Sequence, residues 1–252
     1  MTDRSVIPAS EDDGPLTDVE RVGRLEVREA AGAVIAVIVM QVALAVVCTA
    51  SNWELWLLPA WAWIATAIPE AILLGVLVVQ RHKHRGQAKV DDGEQTPTRR
   101  RAAIWLVGFI TLANALALLA LLGELLSAQV RTGAELLFEA AVIWSTNVIA
   151  FGLLYWELDR GGPWQRAKEK LPVGSPGADF QFPQMENPGL AEPTWRPLLP
   201  DYMYIAFTNA TAFSPTDVMP LTRRAKAVMA AETILSATTV LLVAARAVNI
   251  LG

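Results

Sequence analysis

Apolar residues fall along this chain in long unbroken runs, not at one face of each helical period. The first run, Ala31 to Ala50, reads AGAVIAVIVMQVALAVVCTA and carries no charge. The second extends from about Leu55 to Gln80 and is interrupted by Glu70. The third covers about Ala102 to Leu126, with Glu124 near its end. The fourth covers about Ala134 to Trp156, with Glu135 and Glu139 in its first turns. The fifth covers about Ala225 to Leu251 and carries Lys226, Glu232 and Arg246. A helix rises about 1.5 Å per residue, so roughly 20 residues cross a hydrocarbon core about 30 Å thick. Every run meets that length and predicts a transmembrane helix. A core helix of a soluble protein would carry a polar stripe at helical spacing, and the first run has none.

Ala31–Ala50 reads as a retained helix and not as a cleaved signal. The residues before it are polar and rich in acids, and a second apolar run follows within a few residues. Val47 before Cys48 does not fit the small residue that a lipoprotein signal needs.

Basic residues alternate between the connecting segments. Arg21, Arg24 and Arg28 precede the first run, and no Lys or Arg separates it from the second. Arg81, Lys83, Arg85, Lys89, Arg99, Arg100 and Arg101 lie between the second and third, and Arg131 alone between the third and fourth. Arg160, Arg166, Lys168, Lys170, Arg196, Arg223 and Arg224 lie between the fourth and fifth. Cytoplasmic loops hold the excess of Lys and Arg. The expected topology has a cytoplasmic N-terminus in the inner membrane, two short outer loops, segment 157–224 inside and the C-terminus outside. Trp53, Trp56, Trp61 and Trp63 suit an aromatic belt at the outer interface.

Residues 1–29 read as a cytoplasmic tail, its acidic first 20 residues as disordered. Residues 30–156 hold four spans. Segment 81–101 contains the run RHKHR with His82 and His84. It reads as a positive-inside anchor, with a metal or anionic-lipid site as the sharper alternative. Residues 157–200 are rich in Pro and Gly (GGP, LPVGSPG, ENPGL, EPTWRPLLP) and cannot form a continuous helix or a central strand. They are expected to cap the cytoplasmic face, with Phe180 and Phe182 dipping into the membrane interface.

Residues 201–219 are too short and too polar for a span. They predict a short helix broken at Ser214-Pro215, either re-entrant or interfacial. Non-helical backbone at membrane depth has to be buried in protein or line water. Thr208, Asn209, Thr211, Ser214 and Thr216 would supply hydroxyls and an amide to such a lining. Asp217 or Thr222 can cap the last helix, and Pro220 suits its start. The predicted fold class is therefore an all-α membrane protein with about five transmembrane helices plus one short re-entrant or interfacial helix.

Composition narrows the function classes. Of 252 residues, 53% are apolar and 18% charged, and the net charge is −4. Together with the runs, this excludes a disordered chain, a disulfide scaffold and a basic nucleic-acid binder. Cys48 is the single cysteine, so no disulfide forms within one chain. Both histidines lie in segment 81–101, so no span offers the Ser/His or paired-His chemistry of an intramembrane protease. No Gly-rich phosphate loop, CxxC pair or span histidine for haem is present. The chain is expected not to be an enzyme and to need no cofactor or metal.

The block from Pro200 to Gly252 is the most distinctive. It combines Pro200-Asp201-Tyr202, the stretch Tyr204, Ala206, Phe207 and Thr208, a Ser214/Thr216/Asp217 turn, Arg223-Arg224, and Val248-Asn249. These residues resemble a family of bacterial multi-pass inner-membrane proteins of unknown function. More faintly, the block resembles the pore loop and inner helix of tetrameric cation channels, through Thr211, Asp217, Pro220, Thr222, Arg224 and Glu232. Where a potassium filter has glycines, this chain has Ala212-Phe213-Ser214-Pro215-Thr216. Potassium selectivity is not implied, because Pro fixes φ where Gly would be free.

An ionisable residue inside a span is a functional candidate by default. Glu70 follows Pro69, which should kink the helix and free carbonyls. Glu232 is expected to pair with Arg224 or Lys226, or to face a cavity. Glu124, Glu135, Glu139 and Arg246 are expected near the outer face, where they stay hydrated or snorkel. The ion-path candidates are Glu70, Glu232, Thr208, Asn209, Thr211, Ser214, Thr216 and Asp217. The expected function is an ion channel or transporter-like conduit formed by a homo-oligomer in the lipid bilayer and passing a small ion. The alternative is a non-transporting membrane scaffold or assembly partner.

Overall fold

The computed structural model describes residues 18–51, 67–68, 70–72, 74–75, 97–126, 133–168, 177–192, 195–214 and 217–251. Most of them are helical. The main elements are α1 (Asp18–Ala50), α2 (Pro97–Leu126), α3 (Gly133–Leu158), α4 (Pro163–Lys168), α5 (Pro183–Glu186), α6 (Leu199–Ala212) and α7 (Arg223–Leu251). The described residues between 67 and 75 are helical too. The rest of the second predicted span, the tryptophan cluster 53–63 and the RHKHR run lie outside the described residues.

Among the described residues, three stretches are long and apolar enough to cross a membrane: Ala30–Ala50, Leu136–Gly161 and Arg223–Ala245. In α2 the apolar stretch is shorter, Ile104–Ala120. Helix α1 begins at Asp18, so the part of the expected tail from 18 to 29 is helical.

Helix α3 is the axis of the bundle and packs against α1, α2, α6 and α7. Two apolar clusters surround it. One joins Val34 and Val37 of α1, Leu106 and Ile110 of α2, and Phe151 and Leu153 of α3 to α6 and α7. The other joins Leu44, Ala45 and Cys48 to Ala117, Leu118, Ala140 and Ile143 towards the opposite end. Outward-facing Ile35, Val39, Val46, Leu112, Leu116 and Leu119 are exposed. An apolar surface of that extent suits lipid or another chain better than water.

The described part of the Pro/Gly-rich stretch is built as a cap at the C-terminal end of α3. The chain leaves α3 through a tight turn, Asp159–Gly161, in which Arg160 has φ 50° and Gly161 φ 80°. Gly162 follows at φ 99°, and a Cβ there would stand 3.2 Å from Glu157 Oε1. Glycine satisfies both constraints at once. Two short strands, β1 (Phe180–Gln181) and β2 (Met219–Pro220), then pair antiparallel. Phe180 and Phe182 do not face outward: both are buried in the cap. Phe180 packs edge-on against Tyr155 (5.2 Å between ring centroids) and Tyr202 (6.3 Å). Phe182 meets Tyr202 at 5.5 Å and Trp195 at 5.7 Å. Each such pair contributes about 1 kcal/mol beyond its buried area. Aromatic packing of this kind joins the irregular segment to the core of the bundle.

Helix α6 positions the candidate site. Asp201 Oδ2 accepts the Leu198 N–H at 2.7 Å, which satisfies one orphan donor at its start. Gly152 lets it approach α3 closely: a Cβ on Gly152 would stand 2.5 Å from Met203 Sδ and 3.2 Å from Met203 Cα. The helix ends at Phe213, which adopts the left-handed region (φ 55°, ψ 25°) and donates its N–H to Asn209 O at 3.0 Å. With 14 residues, α6 is about 21 Å long. It runs alongside the first half of α7, since Asn209 is level with Met229 and Thr233. The chain then returns to β2 before α7 begins. Its N-cap is Thr222, whose Oγ1 accepts the Ala225 N–H at 3.2 Å.

Candidate functional site

Three helices meet at Glu232. It lies on the α7 face that also holds Ser236 and Thr239, one and two turns on, and all three are buried. Tyr155 of α3 donates its hydroxyl to Glu232 Oε2. Asn209 of α6 donates Nδ2 to the same oxygen at 2.6 Å and to Met229 O at 3.1 Å. Thr233 donates to Asn209 Oδ1 at 3.3 Å. Glu232 Oε1 has no hydrogen-bond partner among the described residues. The carboxyl group is fully buried, yet no cation is hydrogen-bonded to it there. Such a group is least costly when it carries a proton or when a small cation sits at the free oxygen.

The pairing expected for Glu232 with Arg224 or Lys226 is not formed. Arg224 lies about two helical turns away, at the start of α7, and its guanidinium grips Asp179 (2.7 Å to Oδ1, 2.5 Å to Oδ2). Lys226 is exposed.

The other candidates are dispersed. Glu70 is fully buried but belongs to a separate contact, where Gln41 Nε2 of α1 donates to its Oε1 at 3.1 Å. Thr208 donates to Tyr204 O at 2.9 Å, and Thr211 to Phe207 O at 2.7 Å. Ser214 donates to Ala212 O at 3.4 Å. These hydroxyls turn back onto their own backbone, and Thr211, Ser214 and Asp217 are exposed on the outer side of α6 and the return segment. Thr216 lies outside the described residues. Of the eight candidates, the fold joins Asn209 to Glu232 and leaves the hydroxyls facing away from them. Glu139, expected near a hydrated face, is buried, with Cys48 Sγ 3.9 Å from its Oε1. The side chains of Glu124, Glu135 and Arg246 are outside the description.

Further polar pairs tie the middle of the bundle together. Thr146 Oγ1 donates to Asn114 Oδ1 at 3.1 Å, and Asn147 Nδ2 donates to Ser236 Oγ at 3.1 Å. A third network closes the cap. Asp159 Oδ1 accepts the Asp179 N–H at 2.8 Å, and its Oδ2 accepts the Tyr202 hydroxyl at 2.6 Å. Asp179 also accepts Thr222 Oγ1 at 2.5 Å. Burial alone would raise the Asp179 pKa, but the hydrogen bonds and charge of Arg224, with Thr222, hold it below the ordinary carboxylate range.

Sequence reasoning missed Tyr155, Asn147, Gln41 and the Asp159/Asp179 pair. Along α3, Glu139, Asn147 and Tyr155 stand eight residues apart, about 80° further round the helix at each step, so no single polar face announced them. For Asp179 no signal existed, because Thr222 and Arg224, which grip its carboxylate, lie more than 40 residues away.

No protein-family model, curated protein or solved structure matches the chain.

Proposed function

We propose that this is an integral membrane protein of the inner membrane, with about five spans and a cytoplasmic N-terminus, that conducts a small ion through an assembly of several copies. The observation that carries the reading is the half-length α6. It runs beside the apolar α7 and ends at Phe213, next to the middle of the stretch Arg223–Ala245. The chain then returns through non-helical residues, and Ser214 and Asp217 are exposed there. Backbone of that kind within a bilayer needs protein or water around it, not lipid. A second copy facing α6 would supply both, with Thr208, Thr211, Ser214, Thr216 and Asp217 lining the path. A helix, a turn, a return and a long helix is also the order that the pore-loop resemblance implies. Glu232 would hold α6 from behind through Asn209, with Glu70 set apart against Gln41 of α1.

The second reading, a non-transporting scaffold, is favoured by the helix-to-helix bonds Gln41–Glu70, Asn114–Thr146 and Asn147–Ser236. Flux separates the two. Purified protein in liposomes should pass Na⁺, K⁺ or H⁺ above protein-free controls, and Glu232→Gln and Thr211→Val should each reduce it at least tenfold. Absence of flux for all three cations and for chloride sinks the conduit and leaves the scaffold. Sidedness has its own test in a Cys48→Ala background. Single cysteines at Ser51 and Leu190, both exposed, should react from opposite sides of the membrane. Labelling from one side overturns the topology.

A further inference from the structure

Arg166, in α4, is 9% exposed and lies against the end of α3. Its Nη1 donates to Trp156 O at 2.6 Å and to Asp159 O at 2.8 Å, carbonyls that the ending helix leaves open. The Tyr202 ring centroid lies 4.9 Å from the guanidinium carbon and the Trp156 centroid 6.0 Å from it. Aromatic rings and backbone carbonyls thus occupy part of the cation's surroundings.

The remaining edge is unpaired. Nε and Nη2 of Arg166 are both buried, and neither has a hydrogen-bond partner among the described residues. These two N–H groups form the parallel fork that receives two oxygens of one oxyanion. The aspartates of the cap are engaged elsewhere: Asp159 with the Asp179 N–H and Tyr202, Asp179 with Arg224 and Thr222. Glu157 lies towards Gly162, its Oε1 3.2 Å from where a Cβ there would stand. The buried indole Nε1 of Trp156 is another donor without a partner among the described residues. Every open group just named on Arg166 and Trp156 is a donor, and what such donors need is an acceptor. A buried guanidinium with an empty fork is costly until an anion completes it.

We infer that Arg166 anchors a phosphate-binding site at the capped end of the bundle, its Nε/Nη2 fork taking two phosphate oxygens. The apolar stretch of α3 ends at Gly161, so Arg166 stands just beyond it, at the level where lipid phosphates lie if α3 spans a bilayer. The phosphate belongs to an anionic phospholipid or is free in solution. The chemistry at the fork is the same for both, and the second does not depend on the membrane reading.

The test uses the full chain, purified in neutral detergent and stripped of lipid. Thermal unfolding is followed with phosphatidylglycerol, with inorganic phosphate, and with neither. At least one additive should raise the midpoint saturably. A response to the lipid alone identifies a headgroup, and a response to both identifies a free-anion site. Arg166→Lys keeps a charge that can still reach the α3 carbonyls but lacks the fork, and its apparent affinity should fall about tenfold. Native mass spectrometry of the unsubstituted chain, which does not depend on a variant folding, should reveal one saturable adduct of the same additive. No midpoint shift with either additive, an unchanged affinity in Arg166→Lys, or the lack of a saturable adduct overturns the site.

Discussion

Asn209 and Glu232, on helices separated by an irregular return, meet through a 2.6 Å hydrogen bond that fixes how deep α6 sits against α7. Asn209 is 1% exposed and Glu232 fully buried, so neither group can exchange this bond for water.

The first prediction follows from that isolation. Asn209→Leu and Glu232→Leu should each destabilise the purified protein, because each strands a buried polar partner. In a double-substitution cycle the two should couple by about 1 kcal/mol, the scale for side-chain hydrogen bonds inside membrane bundles. Unfolding in mixed detergent micelles measures the cycle. Additive effects would mean that the bond does not hold α6.

Gly152 gives a steric prediction. A Cβ there meets both the sulfur and the backbone of Met203. Met203 Sδ can swing aside, but its Cα cannot, so Gly152→Ala should cost about 1–3 kcal/mol. Gly152→Val should cost more and loosen α6, seen as faster proteolysis or hydrogen exchange at 199–214. Met203→Ala should recover only part of the loss, since the backbone contact remains.

The cap predicts an acid limb. Asp179 has a folded-state pKa below its ordinary value of 3.8, so the folded protein binds fewer protons there than the unfolded chain. Its stabilisation is complete above the unfolded pKa and is lost as pH falls through the folded one. The melting midpoint should therefore be flat in this contribution near neutrality and drop below about pH 4. Asp179→Asn should lower the midpoint at pH 7 and flatten the acid limb. An unchanged limb in that variant would assign the acid sensitivity to other carboxyls.

Thr222 links the cap to α7. It caps the helix and also donates to Asp179. Thr222→Ala should cost about 1–2 kcal/mol, and Thr222→Ser, which keeps the hydroxyl, less than half of that. Equal losses in the two variants would place the effect in the methyl group and not in the cap.

Legibility tracked how local each determinant is. The runs at 31–50, 134–156 and 225–251 overlap the apolar stretches Ala30–Ala50, Leu136–Gly161 and Arg223–Ala245, because a run of apolar residues dictates a helix without reference to the rest of the chain. The short helix before Ser214-Pro215 was legible for the same reason: Pro200-Asp201 starts it and the polar turn stops it. Which polar group meets which was not legible. Glu232 looked like a partner for Arg224 on its own helix, yet it found Tyr155 and Asn209 on two others. Phe180 and Phe182 looked like interfacial anchors because their neighbours are Pro and Gly. Their partners Tyr155, Tyr202 and Trp195 come from distant turns.

The enclosure of α3 bears on the order in which the chain can be completed during synthesis. Its Gly152 groove, Tyr155 hydroxyl and Asn147 amide are covered by α6 and α7, which leave the ribosome after it. Until α6 and α7 emerge, the axis of the bundle is held on the α1 and α2 sides alone, with polar groups open on the other. A nascent chain stopped before α6 should be open to proteolysis along this side of α3, and α7 acts as a closing piece without which the earlier helices are provisional.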